Sequence, residues 1–271
     1  MYDVHYTTYR KGVAVADGVP VADRTLALLW RQRDAPVPAR GRRPGLTVDA
    51  VVDAATAVAD AEGLSALTMR RVAHDLGVVP MTLYTYVPTK ADLLALMLDR
   101  AYLRMPRADY GADPWRARLA AVAEANRGLY RRHPWAATVS PARPPLGPGL
   151  MAKYEHELRA FAGLGLDDVE TDAALTFLLG YVQASARAEA DARQSREASG
   201  LTDAQWWAAN GPLLARVLDP AAYPTAARVG AAAGAAQGGA FDAERAYAFG
   251  LDRVLDGLGV LIGARGAPPS R

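Results

Sequence analysis

The 271-residue chain contains no cysteine, which excludes a disulfide framework and any metal site built from thiolates. It also lacks long apolar runs, since polar or charged residues interrupt each one well before the roughly 20 residues that a membrane-spanning helix needs. The first thirty residues show no apolar segment of the kind that a secretory signal carries. We therefore expect a cytoplasmic protein with no membrane partner.

Sequence patterns of catalysis are equally scarce. The four histidines form no HExxH zinc motif, and the chain has neither a GxGxxG motif nor a phosphate-binding loop. Glu155, His156 and Glu157 are consecutive, so a helix would spread their side chains around its axis, and we expect a solvated face. The sequence thus predicts no catalytic residue, no metal, no cofactor and no enzymatic activity.

Alanine, leucine and valine dominate the apolar residues, which make up 51% of the chain. This mixture favours helix over strand, and no segment alternates with a period of two, so we predict an all-α fold. The charge is unevenly placed: residues 1–46 carry eight Lys or Arg against four Asp, and the remainder carries 23 against 25. A basic N-terminal segment indicates contact with a polyanion; a solvated tail is the other interpretation.

The most informative stretch is 68–87, which reads TMRRVAHDLGVVPMTLYTYV. Its apolar spacing predicts two short helices, the first capped by Thr68 and closed by Gly77, the second beginning at Pro80 and anchored by Leu83 and Val87. Two helices joined by a turn of about four residues form a helix-turn-helix, whose second helix enters the major groove of DNA. An ordinary helical hairpin is the alternative on these residues alone.

The flanking residues favour the first interpretation. Thr47 is expected to cap a helix to Glu62, and Pro88 to end the second helix, with Thr89 capping the next one to about Leu103. The linker 34–46 is rich in proline and glycine. It carries Arg40, Arg42 and Arg43, which we interpret as a flexible arm of the type that homeodomains insert into the minor groove.

These residues resemble the TetR family of transcriptional regulators, in a branch with an N-terminal extension. The resemblance rests on the segments TVDAVVDAA (47–55), EGL (62–64), LTMRRVA (67–73), LGV (76–78), TLY (82–84) and KADL (90–93). It is close over positions 45–102 and looser after 113, where HPW (133–135) and FGLDRVLDGL (249–258) are similar to one branch. The chain departs from the family in having Val79 at the cap of the recognition helix and no Lys or Arg between Pro80 and Pro88.

The resemblance implies a three-helix DNA-binding domain followed by a larger helical domain for effector binding and dimerisation. We accordingly divide the chain into an extension at 1–44, a DNA-binding domain at 45–104 and a sensing domain at 105–271. The expected function is that of a ligand-responsive repressor that binds a palindromic operator on double-stranded DNA as a homodimer. The alternatives are a helical small-molecule-binding or scaffold protein with a vestigial helix-turn-helix, and a nonspecific DNA binder.

The candidate DNA contacts combine hydroxyl, phenol, thioether and basic side chains. Met81, Thr82 and Thr85 suit base edges, and the family resemblance assigns Tyr84, Tyr86 and Lys90 to phosphates, although the two tyrosines also fit a packed core. The full set is Arg40, Arg42, Arg43, Thr47, Thr68, Arg70, Pro80, Met81, Thr82, Tyr84, Thr85, Tyr86 and Lys90. Arg70 and Arg71 are equally compatible with a solvated helix face.

The family resemblance implies a small-molecule pocket in the second half, which is rich in aromatic residues. Each candidate also suits a packed core. The candidates are Asn126, Tyr130, His133, Trp135, Tyr154, Phe177, Tyr181, Trp206 and Trp207.

The remaining segments receive simple helix and loop predictions. Helices are expected at 23–32, 115–133 with Asp113 as the cap, 150–163, from 167 or 168 to about 194, from 202 onward, and at 242–262. Residues 1–23 and 138–149 are predicted to be loop, and residues 219–240, rich in alanine, glycine and proline, a mobile loop.

Overall fold

The computed structural model describes residues 21–31, 46–139, 143–239 and 241–266. Within these residues it contains eleven α-helices, one 3-10 helix and no strand, which confirms the all-α prediction. The helices are α1 (Val21–Leu29), α2 (Val48–Glu62), α3 (Met69–Asp75), α4 (Pro80–Tyr86), α5 (Lys90–Leu103), α6 (Trp115–Arg132), α7 (Pro148–Arg159), α8 (Asp168–Ser199), α9 (Asp203–Val217), α10 (Pro224–Gln237) and α11 (Ala243–Gly266), with the 3-10 helix at Pro134–Thr138.

The chain divides into two compact units. The first contains 21–31, 46–105 and 143–155 of the described residues, and the second contains 106–139 and 156–266 apart from residue 240. Residues 143–155 thus belong to the first unit, although they follow α6 in the chain. Nowhere in the described residues does a helix combine the length and the apolar character needed to cross a membrane.

The first unit is built from helices whose ends follow the predicted caps. The hydroxyl oxygens of Thr47, Thr68 and Thr89 accept hydrogen bonds from backbone amides three residues ahead, which satisfies donors that a helix start leaves unpaired. Gly63 closes α2 with a φ of 80°. The core is apolar and tightly closed, with Val51, Val52, Leu67, Val72, Leu83, Val87, Leu93 and Met97 at 0% exposure.

Helix α1 departs from its prediction at both ends. It begins at Val21 instead of Asp23, and it ends at Leu29, with Trp30 and Arg31 in a turn. Leu29 is buried whereas Leu26 is 36% exposed, so the two leucines do not share one packed side. Of the loop predicted for residues 1–23, residues 21–23 are helical instead, and residues 1–20 lie outside the described residues.

The start of α6 corrects another predicted cap. Asp113 does not cap it, because the Asp113 amide donates to the Tyr110 carbonyl in a preceding turn, 2.9 Å away, and Pro114 occupies the cap position. Proline has no side-chain acceptor, so α6 begins without a side-chain hydrogen bond. The side of the helix that faces the core is formed by Leu119, Val122, Asn126, Leu129 and Tyr130, which are all buried.

Three predicted helix ends were misplaced by several residues. α7 begins at Pro148, because proline is well suited to a first helical position, and it ends at Arg159, with Gly163 in the left-handed region at φ 78°. α8 extends to Ser199, where Gly200 at φ 67° closes it. The predicted loop at 138–149 also begins inside a helical segment, since Thr138 ends the 3-10 helix and α7 takes 148 and 149.

The predicted mobile loop at 219–240 is wrong for most of its length, because Pro224–Gln237 forms α10. Alanine is the strongest helix former, Pro224 occupies the first helical position, and Gly238 closes the helix at φ 64°. The interior Gly234 lies against the ring of Trp207, which a Cβ would approach to 3.3 Å. Neither α9 nor α10 buries a residue, although α9 has the predicted Thr202 cap, completed by Gln205.

Candidate nucleic-acid interface and buried polar cluster

The turn between α3 and α4 has the geometry of a helix-turn-helix. The Gly77 amide donates to the His74 carbonyl at 3.0 Å and the Val78 amide to the Ala73 carbonyl at 2.9 Å. These two hydrogen bonds form a Schellman motif. Gly77 has φ 67°, a conformation that glycine adopts without steric cost. The chain then turns into α4 through Val79, whose extended backbone precedes Pro80 as predicted.

Helix α4 has one buried and one exposed side. Leu83 and Val87 are fully buried and hold the helix on the first unit, as predicted. Val79, Met81 and Tyr84 are instead 65%, 73% and 44% exposed. Large apolar side chains at this exposure, together on one short helix, form a surface suited to a partner rather than to water.

The other candidates on α4 are polar and partly exposed. The Thr85 hydroxyl donates to the Thr82 carbonyl at 2.6 Å, so its proton is used within the helix and only its lone pairs remain for a ligand. Thr82 and Tyr86 are half-buried, and Pro80 is exposed at the helix start. The packed-core interpretation therefore fails for Tyr84 and holds in part for Tyr86.

Basic residues flank α4 but are not equally available. Arg71 forms ion pairs with Glu62 at 2.8 Å and Asp75 at 3.0 Å, and these hydrogen bonds raise the pKa of its guanidinium. Arg70 is exposed, and no ion pair joins it to any other part of the chain that the structure describes. Lys90, at the first turn of α5, lies 3.4 Å from the Leu64 carbonyl and is exposed.

Two further predicted contacts lie at helix starts. Thr47 and Thr68 are exposed at the N-termini of α2 and α3, where free backbone amides can receive a phosphate oxygen. The arm residues Arg40, Arg42 and Arg43 lie outside the described residues.

The second unit contains a buried polar pair, Asn126 and Glu157, of which only Asn126 was predicted as a site residue. The Asn126 side-chain amide donates to the Val122 carbonyl at 2.9 Å and to Glu157 Oε1 at 2.5 Å. Both of its partners accept, which determines the orientation of the amide and leaves Oδ1 without a hydrogen-bond partner among the described residues. Asn126 is 0% and Glu157 is 3% exposed.

The expectation of a solvated face at 155–157 was therefore wrong for Glu157. Consecutive side chains on a helix point about 100° apart, so one of three can face the core while another faces water. Glu155 is exposed, and His156 is half-buried with its ring stacked on Tyr110 at 4.7 Å between centroids. Burial and the neighbouring Arg107 lower the pKa of His156.

Two tyrosines complete this group. Burial, followed by the charge of Glu157, raises the pKa of both Tyr110 and Tyr130 to about 12, so each phenol keeps its proton at ordinary pH. The Tyr110 hydroxyl oxygen is also buried without a hydrogen-bond partner in the described part of the chain. We call Tyr110, Asn126, Tyr130 and Glu157 the polar cluster, since it offers both donors and acceptors away from water.

The contacts shown for the other predicted ligand residues are with residues outside this cluster. His133 and Trp135 contact each other, with ring centroids 5.9 Å apart, at the end of α6. The Tyr181 hydroxyl donates to the Tyr247 carbonyl at 2.7 Å and so joins α8 to α11. Tyr154, Phe177 and Trp206 are exposed, and Trp207 packs on α10, so sequence spacing alone did not identify a shared pocket.

Comparisons with known proteins agree with this architecture. Residues 51–97 match the family described as "Bacterial regulatory proteins, tetR family", and residues 106–262 match "Tetracyclin repressor-like, C-terminal domain". The chain is 43% identical to the HTH-type transcriptional repressor DrrR1 of Streptomyces coeruleorubidus over 95% of this chain and 93% of that protein. It is 33% identical to an HTH-type transcriptional regulator of Saccharopolyspora erythraea over 58% of this chain and 66% of that one.

Solved structures give the same result at the level of the fold. The crystal structure of apo ActR from Streptomyces coelicolor is 26% identical, with a TM-score of 0.64, over 83% of this chain and all of that one. ActR in complex with actinorhodin gives a TM-score of 0.66 at 26% identity, over 80% and 96% of the two chains. The family matches cover both units, and the chain belongs to the TetR family of bacterial regulatory proteins.

Proposed function

We propose that the protein is a transcriptional repressor that binds a palindromic operator as a homodimer and leaves it when a small molecule binds. The observation that carries this proposal is the exposed side of α4, held outward by the buried Leu83 and Val87. The relative DrrR1 is named a transcriptional repressor, which supports repression rather than activation. Because the target is chromosomal DNA, we expect the protein to act in the bacterial cytoplasm.

The composition of α4 limits the kinds of base contact that this helix can make. The helix has no Arg, Lys, Asn or Gln, the residues that pair bidentately with guanine or adenine in the major groove. Met81 is 73% exposed, and Val79 at the cap is 65% exposed. Apolar side chains in the major groove contact the thymine methyl group, so we propose that the operator half-site presents thymines to Met81.

Phosphate contacts would then set the position of α4 on the duplex. Arg70 and Lys90 provide charge on either side of the helix, and Tyr84 provides a phenol on its exposed face. The amides at the starts of α2 and α3, beside Thr47 and Thr68, provide uncharged donors. These contacts carry no sequence information, which leaves α4 to supply it.

The dimer is proposed to form through α8 and α11. Phe177 on α8 is 56% exposed, and Phe249 and Val260 on α11 are 65% and 75% exposed. Exposed aromatic and aliphatic side chains on adjacent long helices are typical of a surface that a second copy covers. A two-fold dimer places two recognition helices on two half-sites, which accounts for a palindromic operator.

The effector is proposed to bind at the polar cluster. Asn126 Oδ1 and the Tyr110 hydroxyl oxygen are buried without hydrogen-bond partners among the described residues, and a ligand with a hydrogen-bond donor would satisfy Asn126 Oδ1. The structure of ActR with actinorhodin shows a relative of this fold in complex with a small molecule. The ligand would release DNA by favouring a conformation of the dimer in which the two α4 helices no longer match the half-sites.

The test begins with the selection of double-stranded DNA from a random library by the full-length protein. The expected product is a palindrome whose half-sites contain thymines, bound with nanomolar affinity. Each thymine that contacts Met81 is then replaced by deoxyuridine, which lacks only the methyl group. The loss of one buried methyl should weaken binding about fourfold, from about 0.8 kcal/mol per group.

A Met81→Ala variant provides the matched control. It should bind thymine and deoxyuridine operators equally, because the contact partner of the methyl is gone. Binding without sequence preference would refute the operator proposal and favour the nonspecific binder. Equal affinity of the wild-type protein for both operators would refute the thymine contact alone.

A further inference from the structure

The N-terminal helix α1 and the turn that follows it, Trp30 and Arg31, contact three other elements of the first unit. Thr25 Oγ1 donates to Asp92 Oδ1 on α5 at 2.5 Å, and the Trp30 indole donates to the Leu146 carbonyl at 2.8 Å. Arg31 forms an ion pair with Asp49 on α2. Leu29 is 4% exposed, which shows that the end of α1 is packed into the unit rather than lying on it.

Two of the residues contacted in this way, Asp92 and Asp49, also accept hydrogen bonds from α5 or its cap. Asp92 is 2% exposed and accepts a second hydrogen bond, from the Thr89 hydroxyl at 2.7 Å, so it joins the start of α5 to α1. Asp49 also accepts from Arg100 on α5 at 2.8 Å. Asp49 is therefore a common point for α1, α2 and α5, since α2 is the helix that carries it.

The segment that Trp30 contacts is itself fastened to α5. The buried Asp99 accepts hydrogen bonds from the Gly149 amide at 3.1 Å and the Leu150 amide at 2.9 Å, at the start of α7. A Cβ on Gly149 would come within 1.9 Å of the Asp99 carbonyl oxygen, so the backbones meet as closely as glycine allows. Leu29, Trp30, Leu96, Asp99 and Pro148 line a cavity of about 420 Å³ at this junction.

We propose that α1 is a brace that positions the helix-turn-helix for operator binding, with Thr25 and Trp30 as positioning residues that do not touch DNA. α1 precedes the residues that match the family model of the DNA-binding domain, 51–97. The effect is local: α1 restrains α5 directly, and α5 packs on α2 in the same unit. The proposal rests on the proposed function for its DNA-binding part.

Two substitutions each remove one hydrogen bond of the brace and leave the ion pair between Arg31 and Asp49 in place. Thr25→Val keeps the shape of the side chain without the hydroxyl, and Trp30→Phe keeps an aromatic ring without the indole N–H. Leu26→Ala is the matched control, because Leu26 is on the same helix and 36% exposed. The full-length protein is used throughout.

Hydrogen exchange measures the brace without DNA. In the double variant the amides of 90–103 and 147–151 should exchange about 5 to 50 times faster, because a hydrogen bond to the Asp92 carboxylate and one to the Leu146 carbonyl, which resist local opening, are lost. The Leu26→Ala control should leave these amides unchanged. Unchanged exchange in the double variant would refute the brace whether or not the protein binds an operator.

Operator binding tests the positioning role. The double variant should bind the selected operator about 3 to 10 times more weakly, with the same dependence on salt as the wild-type protein, because no phosphate contact is removed. Alanine at Arg40, Arg42 and Arg43 should instead flatten the salt dependence if the arm contacts phosphates. Faster exchange with unchanged operator affinity, or a flattened salt slope in the double variant, would refute the positioning role.

Discussion

Two glycines on the proposed dimer face allow a test in which the monomer and the dimer respond in opposite directions. Gly180 on α8 and Gly257 on α11 are both exposed, and a Cβ built at either position meets no atom within 4 Å. Both have helical backbones, so alanine fits the isolated chain without strain. If these faces were solvent-exposed in the working protein, each substitution would be simply favourable.

The size of that favourable effect follows from helix propensity. Glycine in a helix interior is less stable than alanine by about 0.8–1 kcal/mol, so the double variant of an isolated chain should gain up to about 2 kcal/mol. For a chain of this size, the melting temperature would rise by roughly 4–8 °C, at about 2–4 °C per kcal/mol. Gly128 in α6, which also has no atom within 4 Å of its Cβ, provides the control away from the proposed face.

A partner helix in close contact reverses the result for association. An added methyl group in a well-packed contact costs about 1–3 kcal/mol, and every substitution occurs in both subunits. We expect Gly180→Ala with Gly257→Ala to raise the dimer dissociation constant at least about 30-fold, which corresponds to about 2 kcal/mol.

Sedimentation over a range of protein concentrations measures this dissociation constant, and thermal unfolding of the dilute protein reports the gain in the monomer. Gly128→Ala should stabilise the chain and leave association unchanged. A double variant that dimerises as tightly as the wild-type protein, with a higher melting temperature, would refute the placement of the interface on α8 and α11.

Two other predictions concern single positions. Gly77→Ala should destabilise the first unit by about 1–2 kcal/mol through the positive φ alone, because the added Cβ would meet no atom of the described residues within 4 Å. Gly77→Asn should destabilise the unit less. Equal melting temperatures for the two variants would contradict this prediction. Asn126→Leu should destabilise the second unit by about 1–3 kcal/mol in thermal unfolding, because the buried Glu157 loses a hydrogen-bond donor. The same substitution should abolish release of the operator by the effector. Normal release would exclude Asn126 from the effector site.

The DNA-binding part was the easier part to predict, because its features are local. A capping threonine, a glycine at positive φ and a proline at a first helical position each act within four residues, so Thr68, Gly77 and Pro80 appear in the structure as predicted. The same reasoning failed at 219–240, where glycine and proline were interpreted as loop signals. In this segment proline occupies the first position of an alanine-rich helix, and glycine occurs in its interior and at its C-terminal end. At these positions both residues are compatible with a helix.

The polar cluster was predictable only in part, because it depends on distant residues. Asn126 and Tyr130 are four residues apart on one face of α6, so periodicity placed them together. Glu157 is 31 positions from Asn126, and no local pattern distinguishes it from the exposed Glu155 beside it. The helical position of Glu157 could have indicated its burial. The apolar Ala160 and Phe161 follow it by three and four residues, and both are buried.

Helix α6 provides a physical link between the polar cluster and the proposed dimer face. The residue after Asn126 is Arg127, which is 7% exposed and points to another side of the helix. Its guanidinium lies 3.8 Å from the centre of the Tyr247 ring and 2.8 Å from Glu244, both on α11. A displacement of α6 by a ligand at Asn126 would therefore strain these contacts with the helix that carries Phe249. Glu244 is exposed, but Arg127 is buried and would lose both its partner carboxylate and its partner ring, so α11 should move with α6 rather than separate from it. The ligand need not contact α11, and the first step of the response is a change in the spacing of the two subunits.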